Sequence, residues 1–159
     1  MDLQQFSDWL ASTGFSQAIQ VNQWAIPAIQ SIHILALSLV FAAAIIVALR
    51  FAGRGLAAEP LHSLSARFTH AIWWLLLVLA ASGLLLIIAE PGRTLTNRMF
   101  YFKMIMLAAV IAITLWLSGV ARHQHERVST LHRAAAAVTV LLWIGIMFAG
   151  RFIAYYESY

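Results

Sequence analysis

The chain has 159 residues, of which 62% are hydrophobic and only 10% charged, with a formal net charge of +4. That charged fraction is far below the roughly 25% of a soluble domain, which excludes an ordinary water-soluble globule and points to lipid as the main solvent. With no cysteine, disulfides, iron–sulfur clusters and thiolate zinc sites are excluded, so any metal has to use His, Met or carboxylate ligands.

The chain opens on DLQQFSDWLASTGFSQAIQVNQ, residues 2–23, in which Leu3, Phe6, Trp9 and Leu10 fall on one helical face among Asp and Gln, and Phe15 and Ile19 repeat the pattern more weakly. The spacing predicts a short interfacial amphipathic helix within residues 1–23, although one without the Lys and Arg of a basic anchor. The alternative is a polar lid packed over the rest of the protein. Because this leader is polar and carries no basic segment, the apolar run after it is expected to stay in the protein rather than be cleaved as a signal peptide.

Residues 24–159 read as one membrane domain. Runs of about 20 apolar residues can cross a hydrocarbon core of about 30 Å, and four follow one another at approximately 26–49, 68–89, 100–120 and 134–153. The predicted fold is all-α, a four-transmembrane-helix bundle with the short interfacial helix at its N-terminus. Pro27 suits the first turn of span one, where its missing N–H costs little. RFAGRGLAAEPLHSLSAR is the longest connection, EPGRTLTNRM a compact turn in which Pro91 and Gly92 stop span two, and ARHQHERVSTLHR a polar, cationic loop. No internal repeat emerges.

The ten basic residues form no dense run and mostly flank the apolar spans, which argues against nucleic acid as a partner. Between Arg50 and Arg133 the first and third loops hold six arginines and two glutamates, whereas the opposite side holds four basic and four acidic residues. By the positive-inside rule the arginine-rich loops face the cytoplasm and both termini face away from it. The expected location is the bacterial inner (cytoplasmic) membrane, with the lipid bilayer as the first partner and a homo-oligomer or a larger membrane complex as the next.

At about 1.5 Å per helical residue, His33 in IQSIHILALSLVFAAAIIVALR lies about 10 Å below the outer surface. Gln30 shares its helix face. Lys103 and Arg151 fall at the same outer end, with Asn97, Glu90 and Tyr155 close above. Gln30, His33, Asn97, Lys103 and Arg151 therefore form a candidate outer pocket, because ionisable residues at membrane depth normally face protein or a water-filled cavity. Lys103 and Arg151 have a plainer alternative, which is to snorkel to the headgroups. The plainer reading of His33 is a hydrogen bond to a neighbouring helix without any ligand.

An inner layer holds His70, His132, His123 and His125. A b-type haem needs axial ligands on facing helices and small residues to make room for its ring; His70 with His132 meets the depth requirement, and RAAAAVT supplies the small residues. The plainer reading is histidines that are solvated or bonded to backbone. HQH alone does not define a metal ligand set, and no Walker loop, dinucleotide fingerprint, nucleophile elbow or H-E-x-x-H motif is present.

FSDWLASTGFSQAIQ, IQSIHILALSL, NRMFYFKMIML and LLWIGIMFAGRFIAY, in that order, make the chain resemble an uncharacterised family of small bacterial four-span membrane proteins over nearly its whole length. The resemblance implies a shared four-helix fold, brings no reaction or substrate, and places the family's polar pattern on His33, Asn97, Lys103 and Arg151. His70 stands where relatives are expected to carry a Pro/Trp pattern, which weakens a family-wide haem role there. The architecture is also similar, by analogy, to haem- or copper-associated four-helix bundles.

The function expected from these features is that of a redox-associated membrane subunit holding b-type haem or exchanging electrons with a quinone. The competing expectations are binding or transport of a small anion or metal at the outer His/Lys/Arg pocket, and a non-catalytic assembly subunit. The sequence assigns no catalytic residue, and whether the protein is an enzyme stays open at this point.

Overall fold

The computed structural model describes residues 2–53, 61–122 and 128–155. Among them the chain forms seven helices and no strand: α1 (Leu3–Ala11), α2 (Gly14–Val21), α3 (Ala25–Phe51), α4 (Leu61–Ala89), α5 (Pro91–Leu95), α6 (Arg98–Arg122) and α7 (Thr130–Tyr155). Four stretches are long and apolar enough to cross a membrane, Ala25–Phe51, His70–Ala89, Arg98–Ala121 and Thr130–Ile153. The protein is an all-α, multi-pass membrane protein.

Local chemistry sets the helix ends. Asp2 opens α1 with a capping box completed by Gln5, and Thr13 caps α2 by accepting from the Ser16 N–H. Asn97 opens α6, its Oδ1 accepting from the Met99 N–H at 2.9 Å. Pro27 sits in the first turn of α3, where a proline removes no intrahelical bond. Gly53, at φ 72°, follows the end of α3 in the left-handed conformation that lets the chain leave a helix. Pro91 starts the short α5 immediately after α4 ends, so the compact turn expected there contains a helical turn of its own.

The spans α3 and α4 pack side by side, as do α6 and α7, and the square closes through α3 against α7 and α4 against α6. That places α3 and α6 on one diagonal. Val40, Val110 and Ile146 are fully buried at the centre with Ile72 and Trp143 around them. A second cluster of Phe51, Leu117, Ala121 and Ala136 fills the end of the bundle near Arg50 and Arg133, called here the arginine end. Leu35, Leu84, Ile105 and Leu141 are exposed on four different spans, as expected of helices whose outer faces meet lipid rather than water.

Helices α1 and α2 cover the opposite end, the cap end. The single helix expected over residues 1–23 is two, because Ser12 and Thr13 turn their hydroxyls back onto the carbonyls of Trp9 and Leu10 at 2.7 Å and end α1, while Thr13 starts α2. The cap docks through polar groups: Ser16 Oγ donates to the carbonyl of Ile88 at 2.6 Å and Gln20 Nε2 to that of Ala89 at 2.9 Å. These are carbonyls of the last turn of α4, which lack a partner within their own helix. Ser7 is buried against α5, its Oγ 3.6 Å from where a Cβ on Gly92 would stand. The other face of the cap leaves Phe6, Trp9, Phe15 and Trp24 exposed. The segment is thus packed over the bundle as a lid while presenting an apolar face of the kind that seats in a membrane interface.

Candidate functional site

His33 faces α4, not lipid. Its Nδ1 is 2.8 Å from Ser82 Oγ, and its Cε1 lies 3.5 Å from the position a Cβ would take on Gly83. Counted along the helices at about 1.5 Å per residue, His33 lies about 12 Å from the start of α3 and Ser82 about 10 Å from the end of α4, so antiparallel packing brings them level. Ser82 is only 5% exposed and donates its hydroxyl hydrogen to the carbonyl of Val78, 2.6 Å away on its own helix.

Lys103 comes from the diagonally opposite span. Its side chain is half-buried, and its Nζ lies 3.7 Å from where a Cβ on Gly150 of α7 would stand. Among the described residues no carboxylate pairs with the ammonium; the ion pair found is Glu90 with Arg93, on the surface at 3.1 Å. Two glycines, one on each of the other two spans, thus stand beside the two polar side chains at about the same depth.

The other residues of the expected outer pocket are placed differently. Gln30 is half-buried one turn before His33. Asn97 is buried and serves the start of α6. Arg151 extends along its own helix on the exposed side, Nη2 donating to Tyr155 Oη at 2.8 Å with the guanidinium 4.8 Å from the Tyr155 ring centre. The structure therefore brings His33 together with Ser82, sets Lys103 beside Gly150, and directs the Arg151 side chain to Tyr155.

At the arginine end the histidines are engaged locally. His70 is exposed and accepts at Nε2 from the Trp74 indole N–H, one turn on, at 3.1 Å. His132 accepts at Nδ1 from the backbone N–H of Ser129 at 3.1 Å, while Ser129 Oγ accepts from the His132 N–H at 3.4 Å. This is a reciprocal cap at the start of α7 with histidine where Glu or Gln is usual. The His132 ring also packs on Trp116, 5.2 Å between centres. His123 and His125 lie outside the described residues. Among the described residues no three His, Cys, Asp or Glu side chains gather into a metal-binding group.

Two small cavities, about 10 and 20 Å³ in volume, open in the bundle between its centre and the arginine end. Each is room for about one water molecule. Their walls include Trp143 and Thr114, and neither is lined by His70 or His132.

Sequence reasoning missed Ser82, Gly83 and Gly150 at the site, and Ser16 and Gln20 at the cap. The signal for Ser82 was present: it is a lone hydroxyl inside the apolar run LLLVLAASGLLLII, as far from the end of span two as His33 is from the start of span one.

No family model, curated protein or solved structure matches this chain. The resemblance to small bacterial four-span proteins therefore rests on its motifs alone, and the likeness to haem- or copper-associated bundles gains no support.

Proposed function

We propose that the protein is a redox-associated integral membrane subunit that binds a membrane quinone between His33 and Lys103. The observation that carries this reading is the half-buried Lys103 ammonium without a carboxylate partner among the described residues, toward the same end of the bundle as the His33 imidazole, with a glycine of one of the remaining two spans beside each. A cation so placed favours an electron-rich oxygen, and charge-assisted hydrogen bonds to such an oxygen are strong. A planar, apolar-tailed quinone head group enters from the bilayer and needs no aqueous channel, which suits a site surrounded by lipid-facing helices. The test is photolabelling of membranes with an azido-quinone: the wild-type protein is labelled on α3 or α6, and His33→Ala and Lys103→Gln each lose most of that label. Labelling that is absent, or unchanged in both variants, removes the quinone reading.

The same unpaired ammonium favours a second reading, binding of a small anion from the aqueous side. Chloride or nitrate that quenches Trp fluorescence in wild type but not in Lys103→Gln would select it. A haem between His70 and His132 would require both rings to exchange the local bonds described above; a Soret band in protein from haem-replete cells, lost on either substitution, would select that. A purely structural assembly subunit predicts none of these signals.

We further propose that the protein resides in a bacterial inner membrane with both termini on the extracytoplasmic side, supported by the six arginines of the first and third loops against four basic residues opposite. Reporter fusions near residues 58 and 126 should be cytoplasmic and those at both ends extracytoplasmic. The inverse pattern rejects the orientation.

A further inference from the structure

The hydrogen bonds around Ser82 fix which nitrogen of His33 carries the proton, and that choice decides which redox form of a ligand the site accepts. A serine hydroxyl has one hydrogen to give. Ser82 spends it on the carbonyl of Val78 at 2.6 Å, a second carbonyl of the same helix, Leu79, lying at 3.3 Å. The 2.8 Å contact between Ser82 Oγ and His33 Nδ1 then needs its hydrogen from the ring. A neutral imidazole with N–H at Nδ1 has a bare lone pair at Nε2.

From this arrangement we infer that the site offers one donor, Lys103, and one acceptor, His33 Nε2, and so is matched to a ligand whose oxygen both carries a hydrogen and has a lone pair: the phenolic O–H of a quinol, in preference to the carbonyl of the quinone. A quinone oxygen can accept from Lys103 but leaves Nε2 facing it with no hydrogen between them, whereas a quinol hydroxyl satisfies both side chains. Ser82 acts as a positioning residue, through the ring. It holds Nδ1 as the donor and so keeps Nε2 the acceptor. The inference rests on the quinone-site reading for the identity of the ligand, while the proton position on His33 stands independently of any ligand.

Two measurements on the full chain in lipid nanodiscs test it. In protein labelled with ¹⁵N-histidine, the signals that disappear in His33→Gln belong to His33; they should show a protonated Nδ1 and an unprotonated Nε2 in the wild type, and a mixed or reversed pattern in Ser82→Ala. Under anaerobic conditions, decylubiquinol should bind about tenfold tighter than decylubiquinone, the effect of one buried hydrogen bond left unmade. That ratio should collapse towards one in Ser82→Ala, where the ring is free to turn its N–H toward the ligand, and should be kept in Ser82→Thr, which retains the hydroxyl. A wild-type ring protonated at Nε2, or quinone bound as tightly as quinol, overturns the inference. Failure of both forms to bind, with the ring protonated at Nδ1, instead removes the quinone reading itself and the ligand selectivity that depends on it.

Discussion

At the cap end, polar side chains bond across elements: His33 of α3 to Ser82 of α4, Ser16 and Gln20 of α2 to the last carbonyls of α4. At the arginine end, the histidines bond within their own neighbourhood, His70 to Trp74 four residues on and His132 to Ser129 three residues back, and the helices are held by the apolar cluster around Phe51. The same residue type therefore has opposite structural roles at the two ends. His132, in the first turn of α7, is satisfied by the residue that caps its own helix and His70 by an indole one turn on, whereas His33 finds its partner on another helix. A partner found across a helix interface is also what a ligand site can be built around.

The largest effect should come from attacking the apolar half of that contrast. Phe51 is fully buried among Leu117, Ala121 and Ala136, and emptying such a site costs about 3–5 kcal/mol. Phe51→Ala should therefore lower the midpoint of unfolding in detergent more than any single polar substitution at the cap end. A smaller loss than that of Ser82→Ala would mean that polar bonds, not packing, hold the bundle.

Within the cap end the His33–Ser82 bond should break asymmetrically. Ser82→Ala leaves Nδ1 of a half-buried ring without its partner, an omission that costs about 1–3 kcal/mol. His33→Leu leaves Ser82 still bonded to Val78 and replaces a polar ring by an apolar one, so it should cost less than about 1 kcal/mol, the scale of a typical net hydrogen bond. Measured in the same detergent, the serine variant should be the less stable of the two. The opposite order would indicate that the serine, not the histidine, is the group whose polarity the fold has to satisfy.

His132→Ala probes the arginine end. Removing the reciprocal cap with Ser129 should cost about 1 kcal/mol, the usual value of an N-terminal cap, with His132→Gln recovering part of it because glutamine is a common partner in a capping box. A ring that also ligated a cofactor would not be rescued by glutamine, so the pair of variants separates capping from ligation.

Legibility in the sequence follows the same division. The four spans, the all-α class, Pro27 in a first turn and the depth of His33 were readable, because each depends on residues close together in the chain and on the thickness of a bilayer. The local partners of the arginine-end histidines were readable in principle, since Trp74 follows His70 by one turn and Ser129 precedes His132 by three residues. The direction of Arg151 was not, because a guanidinium at a span end reaches equally well into the bundle or along its own helix, and the aromatic ring of Tyr155 one turn on settles it. Nor was the His33–Ser82 pair, since helix depth matches them but only the rotation of α3 against α4 makes them face each other.

The smallest effect, and the one with the opposite sign, belongs to Ser7. Among the described residues three serines are buried to a similar degree, Ser7 at 1%, Ser16 at 0% and Ser82 at 5% exposure, so burial alone would assign them equal costs of removal. Their partners differ. Ser16 donates to the carbonyl of Ile88 and Ser82 to that of Val78, whereas Ser7 Oγ has no hydrogen-bond partner among the described residues. Removing a buried hydroxyl that bonds to nothing relieves a desolvation cost instead of breaking a bond, and alanine is also the better helix former in α1 by about 0.5 kcal/mol. Ser7→Ala should therefore leave the cap unchanged or stabilise it by up to about 1 kcal/mol, read as slower proteolysis of the first twenty residues in nanodiscs. Ser16→Ala should speed the same cleavage. If Ser7→Ala instead loosens the cap as Ser16→Ala does, the Ser7 hydroxyl has a partner, and the seam between α1 and α5 is held by a hydrogen bond rather than by the close fit of a small side chain against Gly92.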